Sequence, residues 1–393
     1  MNTNLIKEKV ERKEKDIINL LKEMIAIESV SGQEAEMADY VKKEMLERGF
    51  DEVLTDSVGN ILGRIGNGDR VILFDAHMDT VPVGDNESWD YPSDSGEIVD
   101  QEIYGRGSCD DKGCLAAFIS AGEIIKELGL YDDWTIYITG TIMEEVCEGL
   151  ALGNLLEEKE IEPDYVVIGE SSELKVCRGH RGRVLLEAIF KGKAVHASVH
   201  DDDNHAIYKA NPFIQAVPEL NKKLPVDSDL GKGDICVTKV ECESNSLNST
   251  PSSCRVILDR RTTTADSRES ILEELNNLPG AEEAEIRIVE LKEKAYTGKV
   301  IEAEEYFPAW TLPEDHEIVK AGAAAFEDLY NKKADIDVWG FSTDGNYSMG
   351  KKGIPTLGFG PGDMSLCHAV NERLDLDQFI KAISFYAALP AYL

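Results

Sequence analysis

Four apolar runs in this chain each end at a residue able to bind a metal ion, and no feature constrains the fold more. VILFDAHMD delivers His77 and Asp79, TIYITGTIMEE delivers Glu144 and Glu145, YVVIGE delivers Glu170, and IPTLGFG leads through a glycine loop to His368. Such runs, separated by helical patterns, read as strands of an α/β sheet; RVILFDA, nearly all apolar, reads as buried on both faces. Open α/β sheets bind ligands at the carboxyl ends of their strands, where each of these residues follows. With Asp110, the set His77, Asp110, Glu145, Glu170 and His368 implies a two-metal hydrolytic centre, with Glu144 as a sixth acid beside it.

The pattern around those runs extends the α/β reading. Apolar residues at 17, 18, 20, 21, 24 and 25 predict a helix over 12–28, and Ser31-Gly-Gln-Glu34 resembles a capping box opening a second helix to about Phe50. VGNILGRIG is a strand, 112–128 a helix, 135–141 a strand, 149–158 a helix and 165–169 a strand. The character changes near residue 180: strand, helix, two strands, helix and the strand EAEIRIVEL follow over about 110 residues, an order that matches a ferredoxin-like α+β unit. The αβ alternation returns after residue 297. The expected architecture is an α/β catalytic domain over 1–180 and 297–393, interrupted by a smaller domain over 181–296.

With 393 residues the chain has length for two domains. Its 75 acidic against 41 basic residues give a formal charge of −34, which repels phosphates and argues against nucleic acid or an anionic membrane as partner. The acids are dispersed among Lys and Arg, as on a soluble surface. The charged start MNTNLIKEKVERKEKD lacks the apolar core of a secretory signal, and no run of 18 apolar residues exists. Eight cysteines without a CxxC pair fit a reducing cytoplasm. Cys109, Cys147 and Cys367 lie close in sequence to Asp110, Glu145 and His368; they read first as small apolar fillers, and more sharply as oxidation-sensitive thiols.

Each candidate has a plain structural alternative. Asp79 shares a face with His77 in an extended segment and can orient its imidazole; it is equally a turn aspartate. The glycine loop 105–113 opens a helix, as phosphate loops do, but carries acids in place of a Lys-Ser pair. Either Asp110 or Asp111 could bridge two cations, the other serving as an N-cap. Glu144 and Glu145, as strand-end neighbours, point to opposite sides, one to metal and one to water. His180, His200, His205 and His316 lack strand-end contexts and read as surface or loop histidines.

The motifs HMDTVP (77–82), YGRGSCDDKG (104–113), MEEVCEG (143–149), IGESS (168–172), KAVHAS (193–198), LDRRT (258–262), STDG (342–345) and CHAVNE (367–372) span the chain. Together they resemble the metallopeptidase family of aminoacylase-1, acetylornithine deacetylase, succinyl-diaminopimelate desuccinylase and glutamate carboxypeptidase. EEYFPAW (304–310) is similar to the branch linked to selenium metabolism. The resemblance implies Asp110 as the bridge between two metals, His77 and Glu170 on one, Glu145 and His368 on the other. It implies Asp79 orienting His77, Glu144 as general base, and His196 reaching the site from a second subunit through a dimerising lid. Arg261, Asn248 and the loop Ser342, Asp344, Gly345 would face the substrate. One departure stands in the lid: where the family carries a proline and then an asparagine after its His-x-Ser, this chain carries His200 and His205.

The implied reaction is hydrolysis of the amide bond of a small N-acyl amino acid or dipeptide, with two divalent ions. Imidazole and carboxylate ligands suit zinc, and also cobalt or manganese. An N-carbamoyl acid hydrolase would use the same ligands. A non-catalytic binding protein on this scaffold, or a phosphohydrolase, are the competing classes; Glu144 argues against the first and the scarcity of basic residues near the motifs against the second.

Overall fold

In the computed structural model, which describes residues 3–393, a nine-stranded sheet carries the larger part of the molecule. Its order is Glu52–Thr55, Ile61–Ile65, Trp134–Thr141, Arg70–His77, Tyr165–Ile168, Thr356–Gly358, Val176–His180 and Trp310–Thr311, with Ile336–Trp339 also pairing Val176–His180. The four strands from Trp134–Thr141 to Thr356–Gly358 are mutually parallel. Register places His77 opposite Thr141 and Asp75 opposite Ile168, so the strands that precede the candidate ligands stop at one edge.

Both faces of this sheet are covered, which is why its central strands are apolar throughout. On one face Phe74 packs with Phe118 of the helix Lys112–Leu128 and Tyr386 of the helix Leu376–Ala388. That side holds the largest core, which also takes Ile17, Leu21 and Met24 of the first helix. On the other, Leu152, Leu155 and Leu156 of the helix Leu150–Glu158 meet Leu73, Val166 and Trp339. Lys112–Leu128 ends at Gly129, whose φ of 65° lets the last turn close in the left-handed cap that glycine favours.

A second, five-stranded sheet is formed by Asp234–Glu243, Ser253–Thr262, Gly182–Lys191 and Ala284–Ile288 in that order, with Tyr306–Phe307 on Gly182–Lys191. All its pairings are antiparallel. Helices Ala206–Lys223 and Arg268–Asn276 cover it around Phe190, Phe213 and Leu258. In chain order this is the β–α–β–β–α–β arrangement of a ferredoxin-like unit. The fold is therefore α/β as expected, a larger α/β part interrupted by a smaller ferredoxin-like α+β unit.

Three local expectations are corrected. The first helix runs Thr3–Ala26, starting before residue 12, because Ile6 and Val10 extend its buried stripe through charged residues of good helix propensity. The capping box does not form: Glu34 makes no side-chain cap, its Oε1 taking the Gly32 N–H at 2.8 Å, while Ser31 donates to Asp79 Oδ2 at 2.6 Å. EAEIRIVEL does not stay one strand. It breaks after Ile288, and Glu290–Lys294 forms a hairpin with Val300–Glu304 whose Leu291, Ala295 and Ile301 join the large core.

Candidate metal centre

His77 closes its strand, and Glu170 stands two residues beyond Ile168. After Thr141 the chain turns at Met143, at φ 57°, into the short helix Glu144–Cys147. This corrects the expectation of opposite-facing neighbours, since Glu144 and Glu145 both line one cavity of about 330 Å³. The turn replaces the strand's two-residue alternation with helical spacing. His368 ends the loop after Thr356–Gly358 at φ 59°. Gly360 is required in that loop: a Cβ there would lie 2.2 Å from the Glu170 carbonyl oxygen.

Asp110 sits between the two histidines. Its Oδ1 lies 2.9 Å from His77 Nε2 and its Oδ2 lies 3.1 Å from His368 Nε2. Glu145 Oε2 is 2.9 Å from His368 Nε2, and Glu170 Oε1 is 3.9 Å from His77 Nε2. Among the described residues, two groups bring ligand atoms within 4.8 Å of one another: His77 with Glu144 and Glu170, and His77 with Asp110 and Glu145.

The electrostatics of this cluster call for positive charge. Burial, then neighbouring acids, pushes Glu170 well above the usual carboxylate range; burial does the same to Glu144. Asp110 runs the other way: burial raises it, but hydrogen bonds from His368 and His77 outweigh burial and hold its carboxyl down. The same bonds, to Asp110 and Glu145, raise His368 to about 10. Two dications would relieve this crowding, and the donor set of imidazole nitrogens and carboxylate oxygens fits them.

The surrounding bonds fix the ligands. His77 Nδ1 lies 2.9 Å from the Asp79 backbone carbonyl and 3.4 Å from its carboxylate. That carboxylate instead accepts the backbone N–H groups of Glu144 at 3.0 Å and Glu145 at 3.3 Å, so Asp79 holds the acid turn as well as the imidazole. Asp111 occupies the N-cap position but makes no side-chain capping bond; its Oδ2 takes the His77 N–H instead. Glu372, not singled out from the sequence, is 0% exposed and holds the Asp110 loop. It accepts the N–H groups of Cys109 at 2.9 Å and Asp110 at 3.0 Å, and Arg106 at 2.6 Å. Its motif CHAVNE was visible, but nothing in the spacing shows that it faces a loop 262 residues away.

Arg261 and Ser342 line the cavity, together with Arg183 and Glu148, which the sequence did not mark. Arg183 is the register partner of Arg261 across the lid ladder and bonds Glu148 at 2.6 Å and Glu305 at 2.7 Å. Asp344 is buried, accepting the Gly149 N–H and, at 3.2 Å, the Thr141 hydroxyl. Gly345 lies against the Trp310 ring. His196 and Asn248 are exposed neighbours, Nε2 to Nδ2 3.3 Å, and are not among the residues lining the cavity. His180 is corrected from a surface or loop position: it is 0% exposed, accepts the Thr343 N–H at 2.8 Å and is kept neutral by burial, down to about 3. His205 is also buried, stacked on Tyr208 at 4.0 Å.

A mixed sheet whose four parallel central strands gather acids and imidazoles around a shared aspartate is the framework of a metal-dependent hydrolase. The chain belongs to Peptidase family M20/M25/M40, whose model matches residues 73–391. It is therefore a metal-binding hydrolase that acts on amide or peptide bonds. The Escherichia coli (strain K12) protein YgeY is 38% identical over 388 residues, covering 98% of this chain and 96% of that protein. The Saccharomyces cerevisiae di-peptidase Dug1p has the same fold at TM-score 0.74 and 15% identity, over 100% of this chain and 98% of that one. The Bacillus subtilis YXEP protein, a dinuclear metal binding peptidase, matches at TM-score 0.70 and 16% identity, over 96% and 98%. Among the described residues no helix is long and apolar enough to cross a membrane.

Proposed function

We propose that the chain hydrolyses the amide bond of a small N-acyl amino acid or dipeptide bearing a free carboxylate. The observation that carries this reading is Asp110, whose two oxygens face two different imidazoles at 2.9 and 3.1 Å. Two divalent ions would be held by His77, Asp110, Glu145, Glu170 and His368, with Asp110 shared, His77 and Glu170 serving one ion and Glu145 and His368 the other. Zinc is the favoured ion, cobalt or manganese alternatives. When bound, the ions polarise the scissile carbonyl and bring the pKa of water to about 7.

The chain's own groups do the rest. Glu144 takes the proton of the attacking water and returns it to the leaving amine. Asp79 keeps Glu144 and Glu145 in their turn. Arg261, which lines the same cavity as Ser342, receives the substrate carboxylate, and Arg183 directly opposite, already held by Glu148 and Glu305, braces that wall. Asn248 joins Arg261 in holding the substrate carboxylate, and His196 acts from the lid of a second copy, donating to the developing oxyanion, a contact typically worth about 3–4 kcal/mol. The lid spans 181–296, with its last residues from Glu290 packed on the catalytic part, and serves as the homodimer surface. The absence of disulfides among eight free cysteines favours the cytoplasm as the site of action.

The test is Glu144→Gln assayed on N-acetyl, N-succinyl and N-carbamoyl amino acids and dipeptides. Turnover should fall by about 10²–10⁴-fold while metal content stays that of wild type. Loss of metal together with activity would make Glu144 a ligand and overturn the assignment.

A further inference from the structure

Three of the candidate ligands have a neighbour in one sulfur-lined cluster. Cys109 precedes Asp110, Ser171 follows Glu170, and Cys367 precedes His368. Although 258 residues apart, Cys109 and Cys367 bring their Sγ atoms to 3.9 Å. Ser171 Oγ sits beside both, 3.1 Å from Cys109 Sγ and 3.5 Å from Cys367 Sγ. Cys109 is buried, whereas Cys367 is half-buried and lines the catalytic cavity. One thiol is thus open to small solutes entering the site, with a second thiol behind it.

We propose that Cys109 and Cys367 are a reversible modification site, closed to a disulfide by peroxide, that switches the metal centre off. The switch-off rests on the hydrolase reading above; the disulfide itself does not. Cys367 is oxidised first, its sulfur displacing water from hydrogen peroxide to give a sulfenic acid and one water. Cys109 then attacks that sulfur, the S–O bond breaks, and a second water leaves with the thiol proton. The peroxide takes up the two electrons, and an added dithiol returns them by thiol–disulfide exchange.

The consequence for the site is geometric. A disulfide sets its sulfurs about 2.05 Å apart, so the pair must close by almost 2 Å. Each cysteine is covalently next to a ligand, so closure draws on the Asp110 loop and on His368, the two residues now 3.1 Å apart. Cys147, also near the acids in sequence, is buried at the end of the Glu144 helix and is not bonded to either sulfur.

The experiment treats the zinc-loaded full chain with hydrogen peroxide, blocks remaining thiols, and reads linked peptides by mass, zinc content and amide hydrolysis. The expected result is a Cys109–Cys367 linked peptide, a drop in activity of at least about tenfold, and recovery with dithiothreitol. Cys109→Ala, compared with its own untreated activity, should give no linked peptide and at most the smaller dithiothreitol-reversible loss of a lone Cys367 sulfenic acid. Absence of the Cys109–Cys367 peptide overturns the proposal. So does its presence without loss of activity, or a loss and recovery in Cys109→Ala equal to wild type. Cys242 and Cys254, opposite one another in the lid ladder, are the internal comparison: a link there alone also overturns it. If the substrate panel gives no turnover, the linked peptide and zinc content still decide the modification, while the hydrolase reading fails separately.

Discussion

Glu372 holds the Asp110 loop from behind, without itself lining the cavity. One oxygen receives the backbone N–H groups of Cys109 and Asp110, the other the Arg106 guanidinium. Burial first, and then the nearby charge of Asp110, raises its acid to about 7. Such supporting carboxylates commonly set metal affinity by 10–100-fold. Glu372→Ala should therefore weaken zinc binding by about 10–100-fold, measured by competition with a chromophoric chelator, with the chain still folded by circular dichroism. Unchanged affinity would mean that the loop is held without it. At this scale the sequence was readable for His77, Asp110, Glu145, Glu170 and His368, which the fold draws together. It was silent on Glu372, Arg183 and Glu148, because their roles arise from long-range register and loop contacts that leave no local period.

Among the elements, the strands were the most legible, since continuous apolar runs follow from burial on both faces. The turns were not. Met143 and His368 take positive φ without being glycine, a cost a local reading does not anticipate, and Met143 redirects Glu144 and Glu145. The same holds for the turn before the second helix, where Glu34 is buried with Oε2 unpartnered. Burial, then the charge of Asp79, lifts Glu34 from 4.5 to about 7. The folded state therefore keeps a proton that the unfolded state releases, so this group's contribution to stability is full below about pH 4.5 and is lost as pH rises through about 7. Relative to Glu34→Gln, the thermal midpoint of the metal-loaded wild type should fall between about pH 5.5 and about pH 8. Parallel pH profiles for the two proteins would show that Glu34 ionises normally.

For the whole molecule, the exposed position of His196 makes a two-chain site testable. If His196 acts in the partner's cavity, two inactive variants complement each other. Equal mixing of His196→Ala with Glu144→Gln, after dissociation and reassembly, should restore about a quarter of wild-type activity, since half the dimers are mixed and each has one intact site. A mixture as inactive as its components would place His196 outside the reaction. Metal removal also belongs at this scale. A chelator should abolish hydrolysis and lower the thermal midpoint, because the buried acids lose the ions that bind only the folded state. An unchanged midpoint with activity lost would separate catalysis from folding.

The lid's connections carry a consequence beyond the reaction. The chain enters the lid sheet at Gly182 and leaves beside it, with Tyr306 opposite Val184 and Phe307 opposite Arg183. A segment whose two ends lie side by side can be lengthened, recut or exchanged without rerouting its host. Four of the five candidate ligands follow strands of the host sheet and Asp110 opens its helix, whereas Arg183 and Arg261 travel with the lid. The molecule thus carries its five candidate ligands on the host and Arg183 and Arg261 on a segment whose ends meet, so a graft across this seam exchanges one wall of the cavity while leaving the ligand set and Ser342 in place.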